Sequence, residues 1–421
     1  MRRPRQAAAP AALAAAVLFA VLLAPCLSRG ETWRGLELRK KIDEAPWHFG
    51  PFKIQPRLVI ANAGVDSNIF YAASDPVKDY TITAGPAATI YLPAPRKFIL
   101  SAYGSPQYVW YSKTARERTW NYYARGAAQL SLKSVFFSLE GVYSDARERW
   151  NTEIDIRPRR TEKGYGGSML VNLAHRTSFS LAGRTVRYDY ASVEYEGGFN
   201  VRERLNRRED YANLSFYYQA GSRKRFFVDL EYGQYGFEFP STALLRDSRS
   251  GAGYAGLEFT PFGRRVRGRI RIGYKKFDIR NSGGRDFRGL VGDSQLSVRL
   301  ARPLAIRASY ARDVRFSLWY DNPYYVESRP GTGASIYVFR FLRFDYDYSF
   351  GRNDYPLDQE IEPGFEAKRR DDYRVHSAGV YVRIVKSAAL GFVASWWTRD
   401  SNIAAEDDKR TFFGVNLAYD F

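Results

Sequence analysis

Between residues 266 and 280 the chain reads VRGRIRIGYKKFDIR, and its cations are spaced by twos. Arg267, Arg269, Arg271 and Lys275 share one parity, while Ile270, Ile272 and Tyr274 share the other. Guanidinium and ammonium groups in a row can hold carboxylates, phosphates and other anions, and arginine can do so through two parallel hydrogen bonds. On the same kind of parity the C-terminal half adds Arg299, Arg307, Arg315, Arg343, Arg383 and Arg399, against Asp313, Asp345 and Asp347. Any single arginine here can pair with an acid on a neighbouring strand and serve only to stiffen a wall. The surplus of cations carries the expectation of a surface that is basic overall. In the N-terminal half the balance is milder, with Lys53, Arg57, Arg125 and Arg184 against Glu140, Asp229, Glu231 and Glu258.

Other chemistry is poorly supplied. Three histidines (His48, His175, His376) and one cysteine (Cys26) make up the whole stock of those residues. No Ser/His/acid grouping stands at a recognisable spacing for nucleophilic catalysis, and no His/Cys cluster has metal-ligand spacing. No catalytic residue, metal site or cofactor is expected, and the chain does not read as an enzyme. The glycine motifs at 283–285 and 331–333 are expected in or beside loops, where turns or bulges explain them.

The elements that must carry such a cation row are strands, because only a strand sends successive side chains to opposite faces. From residue 52 onward, alternating runs of about a dozen residues are joined by very short turns and longer polar loops in strict alternation. The runs begin with Phe52–Gly64 and end with Arg410–Phe421. The long class of connection includes residues 145–163, 191–209 and 353–371. The count is about eighteen strands, each near the roughly 9–11 residues that cross a bilayer at a tilt. The opposite parity, assigned outward, includes Leu296, Val298, Leu300, Leu304, Ile306, Phe344, Tyr346, Tyr348, Leu390, Phe392 and Trp396. An arginine on that face at mid-membrane would cost about 2–4 kcal/mol, so the cations must face inward. The predicted fold is all-β, a transmembrane antiparallel β-barrel of about 18 strands with short periplasmic turns and long extracellular loops.

Composition agrees. Aromatic residues make up 16% of the 421, with 31 Tyr and 28 Phe, yet the mean hydropathy is −0.43. Apolar-out, polar-in strands produce that pairing, whereas helical membrane proteins are far more hydrophobic and disordered chains hold far fewer aromatics. The formal net charge of +19 suggests an anionic partner. Nucleic acid is a poor fit, since the basic residues follow strands and turns without a binding module.

Residues 1–30 have the basic start, apolar run and small-residue end of a secretory signal peptide. Residues 31–51 do not alternate and are expected as a short periplasmic N-terminal arm, with the barrel spanning 52–421. In the terminal TFFGVNLAYDF, Phe413, Val415, Leu417, Tyr419 and Phe421 share one parity. This resembles the signal that delivers outer-membrane barrels to their assembly machinery. The expected location is the outer membrane of a Gram-negative bacterium.

QPRLVIANAGVDSNIFY, residues 55–71, brings in a family. A first strand running into Gly64, Val65, Asp66, Ser67 and Asn68 resembles the opening of the family known as putative outer-membrane β-barrel porins. Some of its members are linked to exopolysaccharide or capsule export. The resemblance implies a porin passing an anionic solute, an exopolysaccharide first, with outer-membrane lipid and periplasmic polysaccharide-export proteins as partners. Alternatives are a diffusion porin for small anions or oligosaccharides, and an occluded barrel with a surface-binding or structural role. Gly64 is expected to end the strand, with Asp66 and Asn68 as turn formers.

Overall fold

The computed structural model describes residues 32–94, 97–153, 155–195, 198–259, 265–280, 286–319, 322–362, 364–403 and 406–421. The candidate signal peptide, Cys26 and the glycine motif at 283–285 lie outside the described residues.

Eighteen antiparallel strands form one closed sheet. They are β1 (Phe52–Asp66), β2 (Asp79–Ala94), β3 (Phe98–Tyr111), β4 (Thr119–Ser131), β5 (Val135–Arg147) and β6 (Arg159–Ala174). Then come β7 (Thr177–Tyr190), β8 (Arg207–Ala220), β9 (Lys224–Phe237), β10 (Ser248–Phe259), β11 (Val266–Ile279) and β12 (Phe287–Arg299). The last six are β13 (Leu304–Phe316), β14 (Tyr324–Val338), β15 (Leu342–Glu362), β16 (Phe365–Val385), β17 (Ala388–Ser401) and β18 (Asp408–Asp420). Each pairs with its sequence neighbours, and β18 pairs with β1, for example Leu58 with Tyr419 and Val65 with Phe413. Closure leaves no open edge, the condition for strands to cross a bilayer with every backbone group satisfied. The expected eighteen-strand antiparallel barrel is the fold observed.

Parity sorts the two faces. Leu230, Ile272, Tyr274, Leu300, Phe344, Tyr346 and Phe392 stand exposed on the outside, where lipid rather than water meets them. Aromatic side chains gather there toward the long-loop end, as in the Tyr80–Trp110 and Tyr108–Trp120 contacts, the position of an interfacial girdle. In the terminal strand Phe413 and Phe421 are likewise outward and exposed.

Two expectations are corrected. Residues 353–371 are not a loop: β15 and β16 run on as a hairpin beyond the other strands, turning at Gly364 with φ +78. There the strands stand clear of the membrane, so neither face needs to be apolar and the periodic signal is lost. The glycines at 331 and 333 lie in the middle of β14. A Cβ on Gly333 would stand 2.0 Å from the Asp347 carboxylate, so the glycine leaves room for that side chain on the inner face.

The family-like opening also acquires a local explanation. Strand β1 carries a bulge between Ala61 and Gly64, with Asn62 at φ 53. The bulge shifts the parity, so that Asp66 turns inward to meet Arg410 at 2.7 Å. Asn68 then closes the following loop through side-chain bonds to both Ala72 backbone groups, the turn role expected of it.

Residues Trp33–Asp43 form helix α1, whose N-cap Thr32 accepts a hydrogen bond from the Gly35 N–H. The helix lies inside the barrel at the short-turn end. Leu38 and Ile42 pack on the inward-facing Tyr91, Ile99, Phe136 and Leu170. Trp33 lies against the Arg225 guanidinium at 3.9 Å, and Gln55 donates to the Lys41 carbonyl at 3.0 Å.

Candidate functional site

The site is the lumen. All ten predicted cations belong to the inward parity, but most do not stand alone. Arg269 meets Asp229 at 2.6 Å, Lys275 meets Asp313 at 2.6 Å, and Arg271 is held by Asp293. Arg307 meets Asp347 at 2.8 Å, Arg343 meets Asp345 at 3.0 Å and Arg315 meets Glu327 at 3.2 Å. Arg399 is buried among Asp155, Glu406 and Asp408. Seven of the ten are thus ion-paired among the described residues, and Arg267 is not without a partner. Arg267, Arg299 and Arg383 are exposed toward the short-turn mouth, and Arg299 lies 5.8 Å from the Tyr337 ring. Counting three acids in this half missed Asp293 and Glu327, although both share the inward parity of their own strands. Asp229 belongs to β9, two strands from Arg269, and Asp155 to a loop. Those partnerships exist only once the sheet has closed.

The second unforeseen feature is the connection between β5 and β6, described for residues 148–153 and 155–158. It folds into the long-loop end and crosses to the opposite wall, reaching β15 and β17. The Thr152 carbonyl accepts from Arg399 at 2.7 Å, and the Thr152 hydroxyl accepts from Asn353 at 2.8 Å. Asp155 bridges Arg399 and Arg149, each within 2.8 Å. Arg149 lies over the Tyr71 ring at 4.0 Å. Glu153 has no exposed surface. Its carboxylate accepts from the Ser317 hydroxyl and, at 2.7 Å, from the Leu318 N–H. Burial pushes this carboxyl up to about 7, opposed by the Arg369 guanidinium and by those two hydrogen bonds. The short helix α2 (Val201–Leu205) and helix α3 (Pro240–Arg246) brace the same end, with buried Arg246 donating to the Trp319 carbonyl at 2.6 Å.

Two adjoining cavities lie in the lumen between helix α1 at one end and the β5–β6 connection at the other. The one above α1 measures about 720 Å³ and includes Trp33, Arg34, Arg125 and Asn213. The one beneath the loop measures about 610 Å³ and includes Arg149, Tyr188, Lys275 and Trp397. Arg184, Tyr211, Glu231 and Asp313 line both, so they stand where the two meet. Arg184 is exposed there with its guanidinium 5.0 Å from the Tyr211 ring. Among the described residues no carboxylate lies within ion-pair distance of it. A cation in that position can exchange water for a passing anion without first breaking a wall contact.

Residues 47–421 match the family model described as "Putative beta-barrel porin 2". The chain belongs to that family. The porin is similar in fold to solved outer-membrane barrels. The outer membrane protein OpdK from Pseudomonas aeruginosa is 10% identical, with 88% of this chain and 99% of that one covered at a TM-score of 0.50. OpdO from the same organism is 14% identical over 88% and 96%, at 0.46. The siderophore receptor PirA from the same organism is 11% identical over 87% and 80%, at 0.43. No curated protein matches the sequence. The porin is therefore an outer-membrane channel-type barrel, with a lumen built from paired charges and aromatic side chains.

Proposed function

We propose that this porin is a narrow diffusion channel for small anionic solutes of the carboxylate or sugar-acid class, and that it works by transport rather than catalysis. The observation that carries this reading is Arg184, which faces two adjoining cavities of about 720 and 610 Å³. Volumes of that order suit small molecules, whose binding cavities run to roughly 300–1,000 Å³. Along the path, ion-paired arginines and aromatic faces offer polar solutes brief contacts on both sides, and the cation where the two cavities meet tips the balance toward anions. The basic surplus expected from the sequence is thereby concentrated at a few positions instead of spread over the wall.

A second reading, the passage of a secreted anionic polysaccharide, is favoured by Arg299 and Arg383. Both are exposed at the short-turn mouth, with no carboxylate within ion-pair distance among the described residues. It requires residues 148–158 to leave the lumen while a polymer passes. Location in a Gram-negative outer membrane after signal-peptide cleavage belongs to both readings.

The test is ion selectivity of the refolded protein in a planar bilayer under a salt gradient. Small, anion-selective conductance that loses its selectivity in Arg184→Ser supports the small-solute channel. Cation selectivity overturns both readings, and no conductance from wild type or from a variant lacking residues 149–157 leaves an occluded barrel with a binding or structural role. Large conductance appearing only in that deletion favours the polymer.

A further inference from the structure

The eight short turns have a property that the lumen does not use. Each contains a lysine or arginine and none contains an aspartate or glutamate. Lys97, Lys133, Arg176 and Arg223 stand in the first four, and Arg265, Arg302, Arg340 and Lys386 in the last four. All eight are exposed. Among the described residues no carboxylate lies within ion-pair distance of any of them. The connections at the other end mix both signs, with Glu117, Glu153, Asp155, Glu238 and Glu406 among their acids. Turns recur every second strand, so these cations form a ring around one rim of the barrel.

Exposed apolar side chains flank the ring on its membrane side. Phe98 follows Lys97, Leu132 precedes Lys133, Leu300 lies two residues before Arg302, and Ile384 two before Lys386. Phe339 and Phe341 enclose Arg340 and stack with their centroids 5.6 Å apart. Apolar bodies at the hydrocarbon edge with cations just beyond them match the layering of acyl chain and phosphate at a bilayer surface. The barrel seats these apolar groups in the hydrocarbon, which places the cations beside them at the level of the headgroup phosphates.

We propose that the short-turn rim is a binding surface for anionic phospholipid headgroups, the ring of lysines and arginines holding their phosphates in the leaflet on that side. The inference rests on the membrane-spanning barrel and is independent of what crosses the lumen, so its test leaves conduction aside.

The full chain is reconstituted into phosphatidylcholine vesicles with either spin-labelled phosphatidylglycerol or spin-labelled phosphatidylcholine, and the motionally restricted fraction of each label is measured. The expected result at low salt is about twofold to threefold more restricted phosphatidylglycerol than phosphatidylcholine, falling toward parity as salt screens the surface. Replacing all eight cations by glutamine abolishes the preference. Should that variant fail to fold, replacement of Arg302, Arg340 and Lys386 alone is expected to reduce it in part. A control with Arg299→Gln and Arg383→Gln inside the mouth retains it. Equal restriction of the two labels by the wild type overturns the proposal and transfers the ring to an acidic protein partner. A preference undiminished in the turn variants overturns it equally.

Discussion

Arg269 holds its guanidinium 2.6 Å from Asp229, a carboxylate almost wholly removed from water. Removing the cation leaves that charge buried with its main partner gone, a more expensive condition than losing an exposed pair. Arg269→Ser is therefore expected to lower stability by about 1–3 kcal/mol, read as a fall in the unfolding midpoint in urea. Arg299→Ser, at the exposed mouth, is expected to leave that midpoint within about 0.5 kcal/mol of wild type. Arg184 faces both chambers without a carboxylate partner among the described residues, so Arg184→Ser is expected to reduce the anion-to-cation permeability ratio roughly twofold, measured as a reversal potential. Removing Arg269 and Asp229 together (Arg269→Ser with Asp229→Ser) should change that ratio less, because the pair as a whole carries no net charge. The row of arginines was legible from its period of two. Which of them carry free charge was not, because the partners Asp229, Asp293 and Glu327 lie on other strands and Asp155 on a loop.

Strands and loops differ in how much the sequence disclosed. The outward row Leu300, Phe344, Tyr346 and Phe392 is dictated by lipid and repeats with period two, so strands and facing could be read directly. Residues 148–158 obey no such constraint. Their position in the lumen follows from Thr152, Glu153 and Asp155 finding partners on the far wall, which no local pattern announces. Helix α1 is similar: its Leu36 is as apolar as Leu38 yet stays exposed, and the inward seat of Leu38 and Ile42 is supplied by Tyr91, Ile99, Phe136 and Leu170.

The loop's seat makes a pH prediction. Released into water, Glu153 titrates near its ordinary value of 4.5, whereas docked it titrates near 7. Its folded value is raised, so the docked state binds the proton more tightly. Docking is then strongest below the lower value and weakens as pH rises through the interval, by up to about tenfold per unit. Arg246 and Arg369 on one side, and Asp371, Tyr325 and Tyr355 on the other, share the environment of the group. Conductance in planar bilayers is expected to rise between pH 5 and pH 7.5, and to be nearly flat over that range in Glu153→Gln. Arg399→Ala, which removes the anchor of Thr152 and Asp155, is expected to raise conductance at every pH.

For the whole molecule, closure of β18 on β1 decides which environment each parity meets. Leu230 is exposed on the outer face in the middle of β9. Asn213 on β8 lines the chamber above α1 and pairs in register with Glu231. Leu230→Arg is expected to cost about 2–4 kcal/mol in vesicles, measured as a shift in the denaturation midpoint, whereas Asn213→Arg should stay within about 0.5 kcal/mol. Equal costs at the two sites would contradict the assignment of faces. The sequence by itself determined the class of fold, the eighteen strands, their two faces and the alternation of turns and loops, because a bilayer imposes the same demand on every crossing and the demand repeats locally. Only the tertiary structure decided which charges are neutralised, which residues line both cavities, and what α1 and the β5–β6 connection cover. Those outcomes depend on contacts between side chains far apart in the chain, and these exist only after the sheet has curled round and closed.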